Sequence, residues 1–130
     1  MNQIPSIDLW LKKAKQELSA RNIGMYLIHN GVVRESAKAK VRNHEENTKP
    51  VIGMYFTYNK EKLELAIQEA YTMPGISYIN VWLNEGKLAV GDDIMYVLIG
   101  GDIRPNVVDC LQMLVGKIKN ECVIEEEIYE

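Results

Sequence analysis

The chain has 130 residues, of which 47% are hydrophobic and 25% charged, and its formal net charge is −3 with a pI near 5.5. This length and composition are typical of one soluble globular domain, assigned here to residues 1–130. The acidic balance disfavours a general nucleic-acid binder, and no signal-peptide pattern or apolar run approaches the ~20 residues of a membrane helix. Two cysteines without CxxC spacing predict free thiols in a reducing cytoplasm and no metal site.

The first predicted element is a helix that begins after Pro5. Ser6 is a candidate N-cap, and Asp8 follows in the first turn, where negative charge is favourable. The helix has an apolar stripe that consists of Ile7, Trp10, Leu11, Ala14 and Leu18. Met25–Ile28 is then predicted as a short apolar strand, and it leads into His29-Asn30-Gly31.

A polar segment follows from Glu35 to Lys49, and it is predicted to be a loop or an exposed hairpin. The bases in and beside it are Arg34, Lys38, Lys40, Arg42 and Lys49, whereas the last ten residues contain five glutamates and no base. Charge is therefore segregated along the chain. Two interpretations of the bases stay open, a contact with phosphate and a solvated loop. His44-Glu45-Glu46 is not expected to bind a metal, because consecutive loop residues seldom converge on one ion.

The middle of the chain alternates strands and a helix. Val51–Thr57 is predicted as a strand, and Asn59 is a candidate cap for the helix that follows it. The apolar stripe of this helix consists of Leu63, Ala66, Ile67 and Ala70. Met73-Pro74-Gly75 ends the helix, and Ile76–Leu83 is the next predicted strand.

The last third, from Gly86 to Glu127, contains a turn, a strand, a helix and a short exit strand. Ile94–Ile99 is six apolar residues in a row, which predicts a strand covered on both faces. Gly100-Gly101 is interpreted as a break before a helix over 105–119, and the exit strand is predicted over 122–124, with an acidic tail. The order helix, strand, strand, helix, strand, strand, helix, strand predicts the α+β class.

The start of this last helix is a candidate anion site. Two glycines allow close approach of the backbone, a helix N-terminus attracts anions, and Arg104 adds a positive charge just before Pro105 at the first helical position. A second interpretation stays open, in which Asp102 caps the helix and Arg104 is merely solvated.

The same third of the chain resembles a known family. The ordered set Gly86-x-Leu88-x-x-Gly91-Asp92, a hydrophobic strand, Arg104, a helix and Ile118-Lys119 resembles the C-terminal half of the MoaE family, the large, catalytic subunit of molybdopterin synthase. The resemblance extends upstream to most of the chain. It implies a single MoaE-like domain with an α/β hammerhead-like fold, a mixed or antiparallel sheet, three helices and a homodimeric assembly.

The resemblance also implies an activity and a partner. The family's large subunit works with a small ubiquitin-like sulfur carrier (MoaD-like), whose C-terminal thiocarboxylate enters a pocket of the large subunit. Sulfur passes from there to a cyclic pyranopterin phosphate during molybdenum cofactor biosynthesis. The pyranopterin phosphate is a substrate, and no permanently bound cofactor or metal is implied. A pocket for two anions needs several fixed cations.

Four residues match the family's functional positions. Lys119 matches the catalytic lysine at the helix end, and Arg104 matches the arginine after the fourth strand. Gly31-Val32-Val33-Arg34 and Val41-Arg42-Asn43-His44 both match the Gly-x-Val-Arg motif of the family. We prefer Arg34 because it follows a strand, and we keep Arg42 as an alternate or additional pocket base.

The chain also departs from the family pattern. Ile103 stands where the family has histidine, and Glu125-Glu126-Glu127 stands where the family has Trp-Lys-Lys, so Glu126 replaces a functional lysine. Two hypotheses therefore remain, a divergent sulfur-transferring large subunit and a non-catalytic paralogue that binds a ubiquitin-like carrier or a pterin. Glu126 discriminates between them: the first hypothesis is favoured if Glu126 points away from the pocket and another base, for instance Lys117 or Lys40, replaces the lost charge.

Overall fold

The computed structural model describes residues 3–35 and 50–130, so that Arg42 and most of the predicted polar loop lie outside the described residues. Within these ranges the chain forms three α-helices and six strands, which confirms the predicted α+β class. In chain order the elements are α1 (Ile7–Gln16), a 3-10 helix (Leu18–Asn22), β1 (Met25–Val32), β2 (Val51–Tyr58), α2 (Lys60–Tyr71), β3 (Ile76–Leu83), β4 (Gly86–Ala89), β5 (Asp93–Gly101), α3 (Arg104–Lys117), a π-helical turn (Ile118–Cys122) and β6 (Val123–Tyr129).

The strands form two antiparallel sheets of three strands each. The first has the order β1–β5–β3 and the second the order β4–β2–β6. β5 is the central strand of the first sheet, and every residue from Ile94 to Gly101 is buried, which confirms the strand predicted to be covered on both faces. α3 packs on one face of this sheet, and Trp10 of α1 contacts Tyr96 of β5 edge-to-face with ring centroids 6.0 Å apart.

Two predicted helix caps are confirmed, and one predicted stripe residue is wrong. The Leu9 amide donates to Ser6 Oγ at 3.3 Å, and the Lys62 amide donates to Asn59 Oδ1 at 3.0 Å. Leu18 is 80% exposed, because α1 ends at Gln16 and the chain leaves the helical path before it.

In the last third of the chain, the glycine-rich segments and the acidic segment form structures other than those predicted from the sequence. Gly100 and Gly101 continue β5 instead of breaking it, and a Cβ at Gly100 would lie 2.9 Å from the Tyr26 ring. A glycine is therefore needed at position 100 so that the Tyr26 ring can pack against the backbone. The predicted turn contains β4, and the predicted acidic tail is the second half of β6, since β6 pairs with β2 as far as Tyr129.

The core lies between the helices and the two sheets. Its largest fully buried side chains include Phe56 of β2, Met95 of β5, Leu114 of α3 and Ile118 of the π-helical turn. Ile118 therefore fixes the turn to the core and leaves the next residue, Lys119, only partly buried. In the part of the chain that the structure describes, no helix has the length and apolar character needed to cross a membrane.

Candidate functional site

Two of the predicted site residues meet in one small cavity. Lys119 and Arg34 both line a space of about 50 Å³, although 85 residues separate them in the chain. The other lining residues are Val32, Met54, Ile94, Glu125 and Glu127. We call this space the Lys119 cavity. A cation pair of this kind can attract a carboxylate or thiocarboxylate group.

The fold explains why these residues meet. The π-helical turn at the end of α3 carries Lys119, and Arg34 lies two residues after the end of β1. Successive side chains of a strand point to opposite faces, so Glu125 and Glu127 of β6 lie on one face. Glu127 is opposite Met54 in the pairing of β6 with β2, and Met54 is also part of the cavity wall.

The formal charges of the described residues that line the Lys119 cavity balance. Arg34 and Lys119 supply two positive charges, and Glu125 and Glu127 supply two negative charges. All four residues take part in at least one contact with a neighbouring group. An incoming anion must therefore compete with two carboxylates of the protein itself for the same cations.

Glu126 lies on the other face of β6. It is exposed and stands opposite Tyr55 of β2, away from the residues that line the Lys119 cavity. The sequence expectation placed the unfavourable negative charge on Glu126. The structure corrects this position, because the two neighbouring glutamates, Glu125 and Glu127, face the cavity instead.

His29 is a further residue of this region that the sequence analysis did not assign to the site. It lies on β1 opposite Val97 of β5, and its Nε2 is shielded from solvent with no hydrogen-bond partner among residues 3–35 and 50–130. Burial, and then the positive charge of Lys119, lower the pKa of His29. Side chains two residues apart in a strand lie on the same face, so the periodicity of β1 places His29 on the face of Gly31.

Arg104 is not part of the Lys119 cavity of its own protomer. It is the first residue of α3, and α3 has 14 residues, so at a rise of about 1.5 Å per residue its two ends lie about 20 Å apart. Arg104 is exposed and forms no ion pair with any residue that the structure describes. Arg42, the fourth predicted site residue, lies outside the described residues.

A carboxylate of the chain, that of Asp102, lies beside the start of α3. Asp102 Oδ1 accepts hydrogen bonds from Asn106 Nδ2 at 2.9 Å and from the Ile103 amide at 2.7 Å. These two bonds, the one from Asn106 first, lower the pKa of Asp102. The prediction that Asp102 caps the helix is therefore wrong, because the N-cap position is Ile103 and no side chain caps the first helical amides. The expectation that Arg104 is exposed to solvent is confirmed.

A second, larger cavity lies between α2 and the end of α3. Its volume is about 480 Å³, and its wall includes Lys62, Leu65, Glu69, Lys117 and Cys122. Lys117 is paired with Glu69 there. The two lysines that flank Ile118 therefore have different surroundings. Lys117 is consequently a matched control for Lys119.

Among the described residues no group of three or more His, Cys, Asp or Glu could hold a metal ion.

Comparison with known proteins gives a family and a set of similar folds. The family model described as MoaE protein matches residues 6–121. Among solved structures, the MoaE protein of molybdopterin biosynthesis from Burkholderia ambifaria is 18% identical with a TM-score of 0.70, covering 99% of this chain and 83% of that one. Comparison with the curated proteins finds no match.

Two further structures are similar at the level of fold. Molybdopterin synthase from Staphylococcus aureus is 18% identical with a TM-score of 0.67, and the match covers 83% of this chain and 76% of that chain. A complex of subunits 1 and 2 of molybdopterin-converting factor from Helicobacter pylori gives 18% identity and a TM-score of 0.66, with 97% and 80% coverage. The shared architecture is the α+β fold with three helices and antiparallel sheets.

Proposed function

Because the chain belongs to the MoaE family, we propose that it is a divergent large subunit of a molybdopterin synthase in molybdenum cofactor biosynthesis. The proposed reaction transfers sulfur from the C-terminal thiocarboxylate of a small ubiquitin-like, MoaD-like carrier to cyclic pyranopterin monophosphate. The Staphylococcus aureus relative is named a molybdopterin synthase, and the Helicobacter pylori relative is a complex of two molybdopterin-converting factor subunits. These names support the proposal.

The observation on which the proposal rests is the meeting of Lys119 and Arg34 in one cavity. An ammonium and a guanidinium from distant parts of the chain can together hold a thiocarboxylate. The thiocarboxylate sulfur would form a bond to a carbon of the pterin precursor as the bond from that carbon to an oxygen substituent breaks, and the oxygen would leave with the electron pair and take up a proton. Water would then cleave the acyl–sulfur bond of the resulting thioester, which leaves the sulfur on the pterin and a carboxylate on the carrier. A second thiocarboxylated carrier would supply the second sulfur in the same way. Lys119 is suited to stabilise the negative charge that develops on the acyl oxygen, or to act as a proton donor or nucleophile.

The cavity volume limits what the Lys119 cavity can hold. Its volume of about 50 Å³ has room for the end of a chain, whereas pockets for whole cofactor-sized ligands measure roughly 300–1,000 Å³. The pterin phosphate therefore has to bind outside this small cavity, where cations other than Arg34 and Lys119 are needed to hold it. In the proposed homodimer Arg104 could supply one from the second protomer, and Arg42 is a further candidate.

The charge balance of the cavity favours a second candidate function. Glu125 and Glu127 compete with any anion for Arg34 and Lys119, as expected for a paralogue that binds a ubiquitin-like carrier or a pterin without transferring sulfur. The two candidates differ in whether product forms, and both are compatible with carrier binding.

The test is a sulfur-transfer assay with the thiocarboxylated carrier and cyclic pyranopterin monophosphate. We expect dithiolene formation with the wild type, loss of at least about a hundredfold in rate with Lys119→Ala, and a nearly unchanged rate with Lys117→Ala. Carrier affinity is measured in parallel by calorimetry. Tight carrier binding without product, at every carrier concentration, would instead support the non-catalytic paralogue.

A further inference from the structure

The group with no role in the mechanism so far is the imidazole of His29. It is half-buried on β1, and its Nε2 is enclosed by protein and makes no hydrogen bond to any described residue. Buried polar atoms are nearly always hydrogen-bonded, and leaving one unsatisfied is unfavourable. An enclosed ring nitrogen in this state is therefore a hydrogen-bonding position that some other group can occupy.

The imidazole lies directly behind the wall of the Lys119 cavity. A Cβ added at Gly31, two residues further along the same face of β1, would lie 3.3 Å from Met95 Cγ, 3.5 Å from His29 Nε2 and 3.7 Å from Ile94 Cβ. Ile94 in turn lines the cavity together with Lys119. Gly31 therefore lies between the ring nitrogen and a residue of the cavity wall, and a side chain at this position would crowd His29 Nε2.

The chemical properties of the two groups are complementary. Burial and the charge of Lys119 lower the pKa of His29, which keeps the ring neutral at pH 7. A neutral imidazole with its proton on Nδ1 offers a lone pair at Nε2, whereas an ammonium has three donors and no acceptor. Among the described residues, the other charged groups at the cavity are Arg34, Glu125 and Glu127, and neither glutamate can donate to Nε2 when ionised.

We propose that His29 is a positioning residue for Lys119, with Nε2 accepting a hydrogen bond from the Lys119 ammonium when an acyl anion occupies the Lys119 cavity. The bond would hold Nζ against the cavity wall beside the acyl group. The inference rests on the proposed function only for what Lys119 does next, because the contact requires an acyl anion in the cavity but no reaction.

The first experiment needs no activity. The pKa and the tautomer of His29 are measured by NMR titration of the ring nitrogens in the full chain with saturating acetate as the acyl anion, and the only other histidine signal is identified with His44→Gln. We expect a pKa below 6.5 with the proton on Nδ1, a rise in Lys119→Met, and no change in Lys117→Met. An equal pKa in the wild type and Lys119→Met, or a proton on Nε2, would overturn the proposal.

The second experiment separates positioning from packing. His29→Gln keeps a hydrogen-bond acceptor, whereas His29→Leu keeps only bulk. We expect His29→Leu to lower kcat for sulfur transfer about tenfold, the size expected for one hydrogen bond to a charged group, with little change in KM. His29→Gln should retain most of kcat and lose the acidic limb of the pH profile. Equal losses in the two variants would contradict the proposal. If the wild type transfers no sulfur, the proposed function fails while the NMR result still decides about His29.

Discussion

At the scale of single residues, three consecutive glutamates on β6 differ in what they can do. Glu125 and Glu127 face the cations of the Lys119 cavity, and Glu126 faces solvent beside Tyr55. The energy of a charge pair depends on distance and on solvent, so identical side chains one residue apart have unequal effects on an anionic ligand. The position of each glutamate in the alternation of β6 therefore determines whether its charge acts on a ligand in the Lys119 cavity.

This difference predicts the effect of neutralising each glutamate in turn. Glu125→Gln and Glu127→Gln should each strengthen binding of the carrier's C-terminal carboxylate by about fivefold, or roughly 1 kcal/mol, after allowance for solvent screening. Glu126→Gln is the matched control and should have little effect. Calorimetric titration at two salt concentrations measures these affinities. An equal gain in all three variants would mean that only the net charge of the chain matters.

A second prediction at this scale concerns the buried thiol of Cys110. It lies 3.7 Å from the Ala70 carbonyl oxygen, and burial raises the pKa of Cys110 from 9.0 to about 11. Between these values the unfolded chain loses the thiol proton and the folded chain keeps it. The free energy of unfolding should therefore fall as pH rises from 9 to 11.

Urea denaturation under reducing conditions measures this pH dependence. The fall should be smaller in Cys110→Ala than in the wild type. Burial also raises the pKa of Cys122, which adds to the fall in both proteins and cancels in the comparison. Identical slopes for the wild type and Cys110→Ala would show that Cys110 is accessible enough to ionise in the folded state.

At the scale of elements, the contact of α3 with the first sheet determines where Lys119 lies. Leu114 of α3 is fully buried. Leu114→Ala should lower the free energy of unfolding by about 2–5 kcal/mol, because the truncation leaves a cavity in a packed core. Leu65→Ala in α2, where Leu65 is 65% exposed, should change it by less than about 0.5 kcal/mol. Equal losses would show that α3 is not anchored through this contact.

The sequence predicts elements well where local chemistry determines them. The caps Ser6 and Asn59 act through side chains within three residues, and the buried run of β5 needs cover on both faces wherever it lies. Glycines and acidic runs are harder to interpret. Gly100 is interpreted as a break because a glycine pair often ends a strand. Its actual role, to leave room for the Tyr26 ring, is a tertiary contact that the local sequence does not show.

The site illustrates the same division. The residues Lys119 and Arg34 could be proposed from their motifs, and their meeting in one cavity agrees with that proposal. The opposing glutamates could not be found in this way, because three successive acids are typical of a solvated tail. Only the pairing of β6 with β2 defines which of them face the cavity. The face on which each glutamate lies depends on where β6 begins, and β6 begins directly after the π-helical turn. No sequence pattern predicted that turn.

At the scale of the whole molecule, the length of α3 separates two of the predicted site residues. Arg104 begins the helix and Lys119 lies beyond its end, about 20 Å away at 1.5 Å per residue. If both contribute to one reaction, they must come from different copies of the chain. The proposed homodimer is then a requirement of the reaction, since Arg104 and Lys119 of one protomer lie at opposite ends of α3.

This requirement can be tested by mixing two inactive variants. Lys119→Ala and Arg104→Ala should each abolish sulfur transfer. Subunit exchange between equal amounts of the two should restore about a quarter of the wild-type rate, because half of the dimers are mixed and each mixed dimer contains one intact site of two. Light scattering checks that dimers form, and the pair Lys119→Ala and Arg34→Ala is the control. Since Arg34 and Lys119 line the same cavity of one protomer, mixing that pair should restore nothing. Restoration by the control pair, or none by the first pair in dimers that exchange, would contradict a site shared across two subunits.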